Sequence, residues 1–126
     1  MSKEIIISGG IIICIIFANL LVSHIIDGRL EYLVGQLDEL RNILVEKRYD
    51  EADEKIKKID EYWDNSEDLL SCYIEHDELE KVKTEYTSLK VWINLEDDSV
   101  FESLEKMSFI IRHIEEKDDL KLKNIL

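Results

Sequence analysis

The segment from Tyr73 to Val82 reads YIEHDELEKV and sets His76 between Glu75 and Asp77, with Glu80 four positions on. A histidine among carboxylates is raw material for a divalent-metal site or an acid–base pair. A metal, however, needs about three protein ligands held at fixed geometry. The other histidines, His24 and His113, lie in distant segments, and His113 has Lys117, not a ligand, four positions on. The same residues also describe the start of a helix: Asp77 with Glu80 has the spacing of a capping box, and acids suit the positive end of a helix dipole. We read His76 as a junction residue with a structural or partner-contact role. Trp63 and Trp92 are the other candidates for partner or ligand contact, although large aromatics more often supply core area. The sequence has no Gly-rich phosphate loop, nucleophile elbow or metal-ligand constellation. We therefore expect no catalytic, cofactor-binding or metal-binding residue, and no cofactor.

These residues are positioned by elements that begin with an uncharged run. From Ile5 to Ile26 the chain reads IIISGGIIICIIFANLLVSHII, 22 residues bounded by Lys3 and Glu4 before and Asp27 and Arg29 after. At about 1.5 Å per residue this makes roughly 33 Å of helix, enough for a hydrocarbon layer of about 30 Å. Residues 1–27 are read as an N-terminal transmembrane anchor. A cleaved signal would want a shorter apolar core and small residues at a cleavage site, which Ala18-Asn19-Leu20 and Leu21-Val22-Ser23 fit poorly. A lipoprotein signal would want a small residue before Cys14, where Ile13 stands. A soluble core helix is a strange use of twelve isoleucines and leucines. Basic residues nearly balance at the two ends, Lys3 against Arg29 and Arg41, so orientation rests on the short tail before a long apolar run. That is the pattern of a signal-anchor, with the C-terminal domain outside the cell membrane. Within the run, Gly10, Cys14 and Ala18 recur every fourth residue with Asn19 beside them, a candidate interface for a homodimer or another membrane protein.

The remainder, 28–126, is acidic. Setting Lys3 and Glu4 aside leaves 15 basic and 28 acidic residues from Asp27 on, so the formal charge of −13 belongs there. Such a surface repels phosphate backbones, and no nucleic-acid partner is expected. Cys14 lies in the anchor and Cys72 in the acidic domain, so the two cannot pair within one chain. Cys72, beside Leu69, Leu70 and Tyr73, is read as a small core residue.

All four glycines fall in the first 35 residues and there is no proline, so from Gln36 onward the chain lacks both strong breakers. Leu30, Leu33, Leu37, Leu40 and Leu44 step by three and four, marking a helix that continues from the anchor. After Lys47-Arg48-Tyr49, Asp50 is the expected cap of a second helix carrying Ile56, Ile59, Trp63, Leu70 and Ile74, with a local irregularity at Asp64-Asn65-Ser66. Glu51 with Lys55, Asp53 with Lys57 and Glu54 with Lys58 have the spacing of supportive pairs. Leu79, Val82, Tyr86, Leu89 and Ile93 form a third series, out of phase with the second because Ile74 to Leu79 is five residues. A turn at Glu96-Asp97-Asp98 and a cap from Asp98 or Ser99 introduce a fourth, with Phe101, Leu104, Ser108, Ile111 and Ile114. The tail LKLKNIL is expected as a docked extended segment or a frayed last turn. The fold class is all-α: one transmembrane helix followed by a small antiparallel bundle of about four helices.

The order of an N-terminal anchor, Trp63, the segment Tyr73-Ile74-Glu75-His76-Asp77-Glu78-Leu79 and a terminal Asn124-Ile125-Leu126 resembles an uncharacterised family of small anchored helical proteins from spore-forming, Gram-positive bacteria, a domain of unknown function. The resemblance implies an architecture and no activity. The expected function is a non-enzymatic, membrane-tethered interaction or accessory module. The alternative is an extracytoplasmic domain that senses a ligand or cation bound between its helices.

Overall fold

The computed structural model of the chain describes the backbone of residues 2–125 and the side chains of residues 2–117. Among these residues there are four helices: α1 (Ser2–Val45), α2 (Tyr49–Ser71), α3 (His76–Asn94) and α4 (Val100–Ile125). α1 packs on α2, α2 on α3, α3 on α4 and α4 back on α1, and among the described residues the backbones of the diagonal pairs do not approach closely. Short connections make sequential neighbours antiparallel, so the four helices alternate in direction around one core.

The core follows the apolar stripes. The five leucines of α1, the series Ile56, Ile59, Trp63, Leu70 and Ile74, and the series from Leu79 to Ile93 are all buried. In α4 the buried stripe is Val100, Leu104, Met107, Ile111 and Ile114, while Phe101 and Ser108 lie at its margin. Burial of one such side chain contributes about 1.5–3 kcal/mol, several times the worth of an exposed i,i+4 ion pair. Packing therefore decides the fold, and the surface pairs follow it. Only Asp53 with Lys57 forms as spaced, at 3.2 Å. Lys55 instead reaches across to Glu39 on α1, and Glu51 takes Arg48.

Two turns close without glycine. Lys47 and Glu96 adopt left-handed backbone at φ 58° and 53°. In each, paired bonds run back into the helix: Lys47 N–H to Leu44 O and Arg48 N–H to Ile43 O, and likewise Glu96 N–H to Ile93 O and Asp97 N–H to Trp92 O. This is the Schellman arrangement, which satisfies the last carbonyls of α1 and α3.

Several expectations are corrected. α2 begins after Arg48 and α3 after Glu75, neither with a side-chain cap, so Asp50 and Asp77 stand in first turns and act through the dipole. Before α4 it is Asp97, not Asp98 or Ser99, whose carboxylate accepts a backbone N–H, that of Ser99 at 2.8 Å. This bond holds the Asp97 carboxyl below its usual pKa. α2 has no irregularity at Asp64-Asn65-Ser66, because Ser66 is buried in phase with Trp63 and Leu70. Cys72 is exposed because, as the C-cap of α2 with backbone still helical, it stands two residues on from buried Leu70 and so on the outer face, where its thiol donates to Asp68 O at 3.3 Å. The backbone of the tail is helical to Ile125 rather than extended. The expected docking of that tail concerns side chains outside the described residues.

Candidate functional site

The most unusual surface is the first half of α1. Ile5, Ile6, Ile7, Ile11, Ile12, Ile13, Ile15, Phe17 and Leu21 are each more than half exposed, Ile6 reaching 71% and Phe17 67%. The most apolar stretch of the helix is unburied throughout and is long and apolar enough to cross a membrane. Nine large apolar side chains left in water would forgo on the order of 15–25 kcal/mol of burial, more than the 5–15 kcal/mol that holds a whole domain together. This surface therefore calls for an apolar environment or for removal from the mature chain. The test of length and composition is passed equally by an anchor and by a signal sequence.

Bundle packing begins inside the apolar run, at Ser23 and Ile26. The expected division after residue 27 falls within an unbroken helix, so the bare segment and the first helix of the bundle are one continuous rod. Gly10, Cys14 and Ala18 are exposed on that rod and Asn19 is half-buried. A Cβ placed on Gly10 would meet nothing within 4 Å, so this stripe is open to a second helix.

His76, Trp63 and Trp92 do not converge. His76 is the first residue of α3, with its side chain 83% exposed and Nε2 2.9 Å from the Glu80 carboxylate one turn on. Trp92 lies sixteen residues further along α3, roughly 24 Å away, and is half-buried. Trp63 is buried in α2 as core. Among the described residues no cluster of three or more histidines, cysteines or acids has metal-binding geometry.

The polar groups that the structure does bring together tie helices to one another. Arg29 donates to the Ser66 hydroxyl at 2.7 Å and lies over the Tyr62 ring, which packs on Tyr32 with centroids 4.4 Å apart. The Tyr86 hydroxyl donates to Ile56 O at 2.8 Å. Burial, reinforced by the charge of Asp60, pushes its pKa far up, so Tyr86 stays a neutral donor. Glu78, only 7% exposed, accepts from Lys117 of α4 at 3.0 Å, and Lys81 lies 3.9 Å away. The Lys117 hydrogen bond holds the Glu78 carboxyl below the usual range despite its burial, and the same bond raises Lys117.

Sequence reasoning passed over Ser66, Glu78 and Arg29. The available signal was one of phase: Ser66 and Glu78 are polar residues bordering or continuing an apolar stripe, where a partner from another helix is required. Each of these contacts joins one helix to another, in a packed bundle that carries a bare apolar helix.

No curated protein and no solved structure matches the chain. A family model described as "Domain of unknown function (DUF4363)" matches residues 20–125, from the last turns of the apolar run to the end of α4, and the chain belongs to that family.

Proposed function

We propose that this protein is a non-enzymatic, single-pass membrane module, in which the first half of α1 crosses the bilayer and holds an acidic four-helix bundle against the membrane surface for contact with a membrane protein. The observation that carries this reading is the continuity of α1: nine bare apolar side chains stand on the same uninterrupted helix whose next turns enter the bundle core. A hydrocarbon layer covers such a surface on every side, and a helix satisfies its own backbone there. Tethering restricts the bundle to a thin layer and raises its effective concentration toward a membrane partner. The stripe Gly10, Cys14, Ala18 and Asn19 is the contact inside the membrane, to a second copy or to another protein, because small side chains let two backbones approach closely. In this reading the bundle faces the outside of the cell.

In-cell photo-crosslinking from the full-length protein, with the reactive group at Ile12 or at Glu116, tests the function. A discrete membrane-protein adduct, or a dimer lost in Gly10→Ile, is the expected result, whereas a smear without any specific adduct at both positions refutes the interaction module. The orientation is tested by Glu116→Cys on a Cys72→Ser background with an impermeant thiol reagent. Labelling of intact cells is expected, and labelling only after lysis would reverse the topology.

A further inference from the structure

We infer that the α2–α3 connection, Cys72 to Glu75, is a second membrane contact, with Tyr73 seated in the headgroup layer of a zwitterionic bilayer. This rests on the anchor reading above and adds a surface to it. The level of the connection along α1 is fixed by three contacts between α1 and α2: Glu39 with Lys55, Tyr32 with Tyr62, and Arg29 with Ser66. Each step forward on α2 matches one step back on α1, so the end of α2 at Ser71 is level with about residue 23 or 24 of α1. α4 gives an independent reading. Arg41 pairs with Glu105 and Glu78 with Lys117, which sets the start of α3 level with about residue 27. The connection thus lies between the levels of residues 22 and 27, roughly 2–9 Å beyond Leu21 along the axis. The bundle covers α1 from Ser23 on, so the hydrocarbon edge on this side falls near Leu21, the last of the nine bare residues, and not at the end of the uncharged run at Ile26; the interfacial layer beyond it is about 5–8 Å deep on each side. No break or left-handed residue interrupts α1, so one continuous helix sets the level of the connection relative to the bare segment.

The chemistry of the connection suits that depth. Tyr73 is 41% exposed, and its hydroxyl has no partner among the described residues. Its backbone is pinned: Tyr73 N–H bonds to Leu70 O at 3.1 Å and Ile74 N–H to the same carbonyl at 2.8 Å, with Ile74 buried beneath. An aromatic ring with a polar tip, held rigidly at the boundary, matches the interface where tyrosine is enriched. Glu75 and Asp77 follow at once on the exposed side, which disfavours anionic headgroups and selects zwitterionic ones.

The test uses the full-length chain in phosphatidylcholine vesicles whose acyl chains carry bromine either near the carbonyl or near the methyl end. On a Trp63→Phe, Trp92→Phe background, the Tyr73→Trp emission should be quenched at least about twofold more by shallow than by deep bromine, and Ile12→Trp the reverse. Quenching of Ile12→Trp with Tyr73→Trp no more affected than Glu54→Trp would overturn the second contact and leave the anchor standing. Loss of quenching at both Ile12→Trp and Tyr73→Trp would overturn the anchor as well. A nitroxide on the native Cys72 thiol, with Cys14→Ser and both tryptophans kept, repeats the measurement without touching the core. It should be more accessible to oxygen and less to a polar nickel chelate than the same label at Glu54→Cys, and equal accessibility at the two sites would also overturn the contact.

Discussion

Replacement of Glu78 by Gln removes one charge from the seam between α3 and α4 while keeping side-chain shape. The carboxylate is 7% exposed and accepts from Lys117 at 3.0 Å, with Lys81 at 3.9 Å. A hydrogen bond between charged groups contributes about 1.5–3 kcal/mol. Lys117 and Lys81 are themselves 44% and 62% exposed, so solvent screening lowers the expected loss to about 1–2 kcal/mol. The sign with pH follows from the direction of each shift. Glu78 has a lowered folded pKa, so its contribution is fully present above the unfolded value of about 4.3 and is lost as pH falls through the lowered folded value. Lys117 has a raised folded pKa, so its share is present below about 10.4 and is lost as pH rises through the raised value. Urea unfolding of the full-length protein in detergent, followed by far-ultraviolet circular dichroism, should show the wild type ahead of Glu78→Gln by that margin at neutral pH. The gap should close in acid below the folded pKa of Glu78, where a protonated Glu78 resembles glutamine. Equal stability at neutral pH, or a gap that persists undiminished in strong acid, would refute the argument.

Tyr86→Phe should cost about 1 kcal/mol in the same assay, because Ile56 O loses one donor while its helical bond remains. Leu37→Ala, deep in the shared core, should cost about 2–5 kcal/mol and lower the unfolding midpoint accordingly. His76→Ala removes only an exposed contact with Glu80, so stability should move by less than about 0.5 kcal/mol, and calorimetry with zinc should give the same result for variant and wild type. Glu96→Gly should raise stability by up to about 1 kcal/mol in the same unfolding assay, since a left-handed position strains a side chain with a Cβ and suits glycine.

The apolar stripes made the helices legible. Leu30 to Leu44 and Leu79 to Ile93 repeat at three and four residues, Ile56 to Leu70 does so once Ser66 is counted, and all are buried as spaced, with Ile74 buried just beyond the end of α2. The five-residue step from Ile74 to Leu79 marked the α2–α3 break, which falls at residues 72–75. Helix ends were harder to read, because Asp50, Asp77 and Asp98 look like caps in sequence. Which of several nearby acids meets a free N–H depends on where packing starts the helix, and at two of the three starts no side chain caps at all. The turns at Lys47 and Glu96 carry no glycine, so their left-handed geometry left no trace in residue type. Cys72 misled for a different reason: apolar neighbours in sequence do not bury a residue that stands on the opposite helix face from them, as Cys72 does from Leu70. The links from Arg29 to Ser66 and from Glu78 to Lys117 join residues 37 and 39 positions apart. Single-sequence periodicity holds no information on such pairings.

The central claim, that the first half of α1 stays on the chain and spans a bilayer, is tested most directly by the intact mass of the protein recovered from membranes washed in high salt and then in alkali. The account predicts the full chain of 14.9 kDa in the pellet. Release of the full chain by alkali, or recovery of a shortened chain lacking the apolar run in the soluble fraction, would contradict it.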